Sequence, residues 1–254
     1  MVASLACLTL ALAAADRAAA QPAVAQLLAR GDSASTARRP AAAYRHYEAA
    51  IALSPANYDA LWRASREAVD LGEAETNAAK RTELGEEATA YARRAVAANA
   101  AGADGYFQLA RALGRTALSV SARERVKYAT DIRAHALRSL ELQPQHAGAM
   151  HIMGVWNAEV MRLNGMARAM ARTFLGAGVL GSASWANATR YMEQSVAAEP
   201  KRIVHHLDLA RVYRDTKRRD DARAAYQTAL RAPVVDANDD IYRRAAESEL
   251  RKLR

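Results

Sequence analysis

Arginine is the residue type best placed to do chemistry in this chain. Of 36 basic residues only Lys80, Lys127, Lys201, Lys217 and Lys252 are lysines. Nearly all the positive charge therefore sits on planar guanidinium forks, which grip carboxylates and phosphates through paired hydrogen bonds. Arg66, Arg111 and Arg211 each directly follow a small residue (Ser65, Ala110 and Ala210) inside a helical pattern. Arg63, Arg115, Arg162 and Arg214 flank that row one helical turn to either side. Guanidinium groups in such a row would accept the carboxylates of an acidic peptide or chain terminus. In a chain this rich in arginine, the same spacing also fits a solvated face.

The other chemistry-bearing residues read more simply. The histidines are His46, His135, His146, His151, His205 and His206. None has the three- or four-residue helical spacing that turns two imidazoles toward one metal ion, so no metal or cofactor is expected. Gly176, Gly178 and Gly181 spell G-x-G-x-x-G, but a dinucleotide loop must join a strand to a helix. Here Met166–Phe174 upstream is helix-like, so the glycines read as an inter-helix turn, with Met166 and Met170 beside it as a core or binding lip. Asp220-Asp221 and Asp239-Asp240 read as helix starts, where carboxylates suit the free amides and the helix dipole. No serine stands in a nucleophile context, and Cys7 is the only thiol. The chain is not expected to be an enzyme.

The elements that position these residues are helical. The chain has 254 residues, 51% hydrophobic and 6% aromatic, with abundant Ala, Leu, Glu and Arg. These are good helix formers, and β-branched and aromatic residues are scarce. The net charge of +9 admits anionic partners, but no clustered basic run or nucleic-acid module is present. Leu5–Ala15 is an apolar run too short to span a bilayer, and Ala18-Ala19-Ala20 precedes Gln21 as a cleavage signal. Residues 1–20 therefore read as a removed signal peptide, although Met1–Ser4 carries no positive charge. Residues 21–254 form the mature, periplasmic or secreted domain.

That domain is a repeat array. Ala43, Tyr47, Ala50 and Pro55 recur as Ala222, Tyr226, Ala229 and Pro233. Asp131, His135, Ser139 and Pro144, then Asn187, Tyr191, Ser195 and Pro200, read as further copies with small or polar replacements. Ala88, Ala92 and Ala95 form a degenerate one. Small residues let two helices approach, an aromatic fills the gap between pairs, and proline stops the helix. Each copy is preceded by a first helix whose small residue (Gly31, Ser65, Ala110, Gly154, Ala210) marks the closest crossing. The expected architecture is an all-α tetratricopeptide-like solenoid of five helix pairs plus a capping helix over Asn238–Leu253. The middle pairs are expected to have long turns at Gly72–Gly85, Leu118–Arg125 and Gly165–Trp185.

Leu61-Trp62-Arg63-x2-Arg66, His146-x7-Gly154-Val155-Trp156 and Phe174-Leu175-Gly176 together resemble the regulator of microtubule dynamics family over roughly residues 40–250. The resemblance implies tetratricopeptide-like helices and no catalytic residues; eukaryotic members are linked to microtubules and membrane contacts. This sequence departs from it in its signal-peptide-like start and in Ala177-Gly178-Val179-Leu180, where prolines are expected. It therefore looks like a bacterial exported relative, to which tubulin binding does not carry over. The functional expectation is a non-enzymatic scaffold whose concave groove, lined by Arg66, Arg111, Arg211, Arg63, Arg115 and Arg214, takes an acidic segment. The alternative is an assembly or membrane-surface adaptor using the convex face or the last helix.

Overall fold

A computed structural model describes residues 21–118, 122–163 and 181–253, and the described residues form helices joined by short turns. A helix over 21–36 (α1) is followed by α2 (Pro40–Leu53), α3 (Tyr58–Ala74), α4 (Ala78–Ala98), α5 (Ala103–Leu118) and α6 (Ala122–Leu142). Then come α7 (Ala147–Arg162), α8 (Trp185–Ala198), α9 (Ile203–Asp215), α10 (Arg219–Arg231) and α11 (Asp239–Lys252). They pair in order, α1 with α2 through α9 with α10, and α11 closes the array. The Gly176–Leu180 turn, Met166, Met170 and the residues 1–20 lie outside the described residues.

Local chemistry sets the helix boundaries. Asn57 Oδ1 accepts the Ala60 amide at 2.8 Å, Asn77 Oδ1 that of Lys80 at 3.1 Å, and Ser184 Oγ that of Asn187 at 3.0 Å. His146 does the same with Nδ1, accepting from Ala149 at 3.2 Å. Pro40 opens α2 with its φ already helical. The first and last pairs share one turn: Arg38 and Lys217 take φ of 58° and 65°. The next amides reach back to Ala34 O at 2.9 Å and Tyr213 O at 2.8 Å. A left-handed residue followed by such a bond is the Schellman stop.

Burial fixes the register of the second helices. Ala43, Tyr47 and Ala50 of α2, Ala88, Ala92 and Ala95 of α4, and Ala222, Tyr226 and Ala229 of α10 are fully buried. In α6 and α8 the structure corrects the sequence expectation by one residue. Ala136 and Met192 fill the aromatic slot, each three residues before the buried Ser139 or Ser195. His135 and Tyr191 are half-buried, one step around the helix; His135 stacks on Tyr106 with ring centroids 6.1 Å apart. A second correction concerns the middle turns. Gly72 lies inside α3 and Gly85 inside α4, with only residues 75–77 between the helices. The extra residues lengthen the helices because Ala, Glu, Lys and Arg continue them readily. Arg125 likewise falls within α6.

The small residues of the first helices do lie at the crossings. Ser65 Oγ donates to the Ala88 carbonyl at 2.8 Å, and Ala110 and Ala210 are fully buried. A Cβ on Gly31 would lie 2.3 Å from the Tyr47 ring, which is fully buried and tied to Asp32 Oδ1 at 2.8 Å. On Gly154 it would meet Met192 Cγ at 2.7 Å. Gly31→Ala is therefore expected to lose about 1–2 kcal/mol net, because overpacking outweighs the helix-propensity gain of about 1 kcal/mol. Gly154→Ala should cost less, since the unbranched Met192 side chain repacks more readily than the tied Tyr47 ring. Paired thermal melts check this; equal shifts would contradict it.

Two apolar cores hold the ends of the array. One gathers Val24, Tyr47, Ile51 and Leu61, the other Met192, Ile203, Leu207, Tyr226 and Ala246. Smaller clusters around Leu109 and Leu113, and around Met153 and Trp156, connect them. Along the array α3 meets α5, α5 meets α7, α7 meets α9 and α9 meets α11. The first helices thus form one continuous inner layer. Its exposed face carries the arginine row.

Candidate functional site

Arg63 and Arg66 project from α3, Arg111 and Arg115 from α5, Arg162 from the end of α7, and Arg211 and Arg214 from α9. The structure gathers them into three groups, each built around carboxylates of the same layer. In the first, Arg66 Nη2 meets Glu67 Oε1 at 2.7 Å and donates to Ser35 Oγ at 2.9 Å and the Tyr47 hydroxyl at 3.3 Å. Arg63 pairs with Asp59 at 2.7 Å and Asp32 at 3.1 Å. In the second, Arg111 holds Asp70 at 2.5 Å, and Arg115 holds Glu73. In the third, Arg211 forks onto Glu249 at 2.6 Å and bonds Asp208 at 2.8 Å, while Arg214 takes Glu249 at 2.8 Å. Arg162 joins it through Asp215 at 2.6 Å.

The groups at the two ends share a design. Tyr47 directs its hydroxyl to Asp32 beside Arg63 and Arg66, and Tyr226 directs its own to Glu249 Oε2 at 2.8 Å beside Arg211 and Arg214. In each case the repeat's aromatic places a phenol on the inner layer, where it donates to a carboxylate already held by guanidinium groups. Burial first, then the bonded carboxylate, pushes both phenols well above the ordinary tyrosine range.

Electrostatics keep the inner layer charged and balanced. Burial pushes the Glu67 carboxyl up, and the neighbouring Arg66 opposes it. Burial likewise works to raise Asp208, but the bond from His151 Nε2 at 2.8 Å and the Arg211 charge hold it well below the usual carboxylate range. Tyr242 of α11 is pushed up to about 12 by burial, against the pull of Arg111 and Arg115. The sequence reading missed the carboxylates that answer the arginines. Part of the signal was present: Asp70 lies four residues after Arg66, and Asp208 three before Arg211, spacings that put them on the arginine face without fixing which arginine they meet.

One arrangement has the outline of a catalytic relay. Ser195 Oγ lies 2.9 Å from His205 Nδ1, His205 stacks on His151 at 4.7 Å, and His151 bonds Asp208. Its geometry is structural. The serine is fully buried and donates its proton to the Ala147 carbonyl at 3.0 Å, so it accepts from His205 rather than being activated by it. Burial, with His151 and Arg202 nearby, holds the His205 pKa well below the ordinary value. The unfolded chain binds a proton near pH 6.5 that the folded chain refuses. Stability is therefore expected to fall as pH drops below about 6.5, by up to about 1.4 kcal/mol per unit from this group. Urea melts between pH 7 and 5 measure it, and a His205→Asn variant should flatten the slope. Among the described residues no cluster of three metal-ligating side chains occurs.

Residues 24–254 match the family described as regulator of microtubule dynamics protein 1-3. The chain belongs to this family. Among solved structures, the thermophilic tetratricopeptide protein TTC0263 of Thermus thermophilus shares the fold at a TM-score of 0.61, with 21% identity over 89% of this chain and 99% of its own. MamA matches at 0.45, with 16% identity over 82% and 91% of the two chains. YrrB, a tetratricopeptide protein described as having an unusual peptide-binding site, matches at 0.43, with 15% identity over 86% and 88%. A comparison with curated proteins finds no match. This member of the regulator of microtubule dynamics family is thus an all-α tetratricopeptide-like solenoid. No helix among the described residues is long and apolar enough to cross a membrane.

Proposed function

We propose that this protein is a non-enzymatic scaffold whose inner layer binds an acidic peptide or chain terminus. Solenoids of this kind present an extended concave surface to partners. The observation that carries the reading is the manner in which Arg211 and Arg214 are engaged. Both hold a carboxylate, Glu249, that arrives from a separate helix. A partner's carboxylate would be taken in the same way, by forked charge-assisted bonds. By the same reading the mature chain begins at Gln21 and works in the periplasm or outside the cell, and N-terminal sequencing from the native host tests that.

Arg115 and Arg214 are the clearest probes, with side chains 37% and 40% exposed. An Arg115→Gln, Arg214→Gln double variant, its helicity checked by circular dichroism, should bind a Glu/Asp-rich peptide about a hundredfold more weakly, as loss of two charge-assisted bonds implies. Wild-type affinity should also fall as salt rises. Fluorescence anisotropy with a labelled peptide measures both. An affinity indifferent to the substitutions and to ionic strength would overturn the reading.

A further inference from the structure

Among the described residues, one segment reaches from the end of the array back across it. The segment 233–240, the loop and the start of α11, runs from the last pair back to α3. Asn238, only 5% exposed, donates from Nδ2 to the Asp70 carbonyl at 2.9 Å, a contact 168 residues apart in sequence. Asp236 Oδ1 meets Arg202 Nη1 at 2.6 Å and lies within the electrostatic reach of Arg111. Tyr242, one turn into α11, lies within the electrostatic reach of Arg111 and Arg115. Asp239 Oδ2 accepts the amides of Val235 and Asp236, both at 2.7 Å, and so fixes the shape of this strap. The strap thus sets the Asn238 amide against the middle group of the inner layer and its carboxylate, Asp236, on Arg202 within the field of that group.

The bonds at this seam are polar. The apolar residues of α11, Ala246 and Leu253 with Tyr242, Ala245 and Leu250 beside them, belong to the C-terminal core. Val235, on the strap itself, is 39% exposed. Releasing the strap would break a few hydrogen bonds and one ion pair while leaving the C-terminal half of α11 seated on α9 and α10. It would leave Arg202 with Glu199 alone, 3.4 Å from its Nε.

We propose that this strap is a built-in competitor for the inner layer, and that an acidic partner gains its place by putting a carboxylate where Asp236 now meets Arg202. The inference rests on the peptide-binding reading above and adds its regulation. A tethered segment competes at high effective concentration, so the closed chain binds a free acidic peptide weakly until the strap is released.

The test uses the full chain with Asp236→Asn and Asn238→Ala together, and the labelled Glu/Asp-rich peptide as probe. The double variant should bind the peptide about tenfold more tightly than wild type or better, and adding Arg202→Gln should remove the gain. Hydrogen exchange should rise over 234–240 while the later turns of α11 keep their protection. Asn238→Ala alone, which spares the ion pair, should give a smaller gain of the same sign if the double variant proves unstable. Equal affinity in wild type and variants would overturn the strap as competitor and leave the peptide-binding reading intact. So would a gain that survives Arg202→Gln. Absence of binding in every form would overturn both.

Discussion

Arg111→Glu is expected to destabilise the chain by about 3–5 kcal/mol, the cost of removing one partner from a largely desolvated ion pair. The Arg111 side chain is 20% exposed and bonds Asp70 at 2.5 Å, with Glu73 4.0 Å away. Reversal would set three carboxylates together with only Arg115 to answer them. A row of solvent-facing arginines would tolerate charge reversal at Arg66 and Arg111; the internal pairing argues against that, because Arg66 already neutralises the buried Glu67 and Arg111 the half-buried Asp70. Urea denaturation of Arg111→Glu beside Arg111→Lys measures the effect. A loss under about 1 kcal/mol in the reversal would show the pair to be solvent-screened.

Glu249→Ala should cost about 2–4 kcal/mol, since hydrogen bonds to charged groups contribute about 1.5–3 kcal/mol each and losses in one cluster do not add. Glu249 is a shared acceptor for Arg211, Arg214 and the fully buried Tyr226. Its removal leaves two guanidinium groups facing each other without that bridge. Because solenoid stability is nearly nearest-neighbour, hydrogen-exchange protection should fall in α9 to α11 and persist in α2 to α4. Uniform loss across the array would show that the ends fold as one unit. Glu249→Gln keeps the shape but not the charge, and should fall between wild type and Glu249→Ala.

Much of the fold was legible in the sequence because a tetratricopeptide pair is specified locally. Small residues at Gly31, Ser65, Ala110, Gly154 and Ala210 announce the crossings. Tyr47 and Tyr226 announce the gaps they fill, and Asp220-Asp221 and Asp239-Asp240 announce helix starts, falling in the first turns of α10 and α11. These signals act within a few turns of chain, so the amino-acid order carries them intact. The register of α6 and α8 was less legible. Ala136 and Met192 lack the aromatic that marks the slot, and an adjacent His135 or Tyr191 imitates it.

Local patterning along the chain specifies an all-helical repeat array with arginines at one repeated position of its first helices. Periodicity puts side chains on a face, and that needs no knowledge of the partner face. What those arginines touch follows from the folded array. Charge pairing depends on which helices meet, and no spacing in the chain announces that Glu249 reaches Arg211, that Asp70 of α3 reaches Arg111 of α5, or that Asn238 crosses to Asp70. A guanidinium group is free or occupied according to contacts made tens to hundreds of residues away. The row was written locally; its occupants were assigned by the curvature of the array.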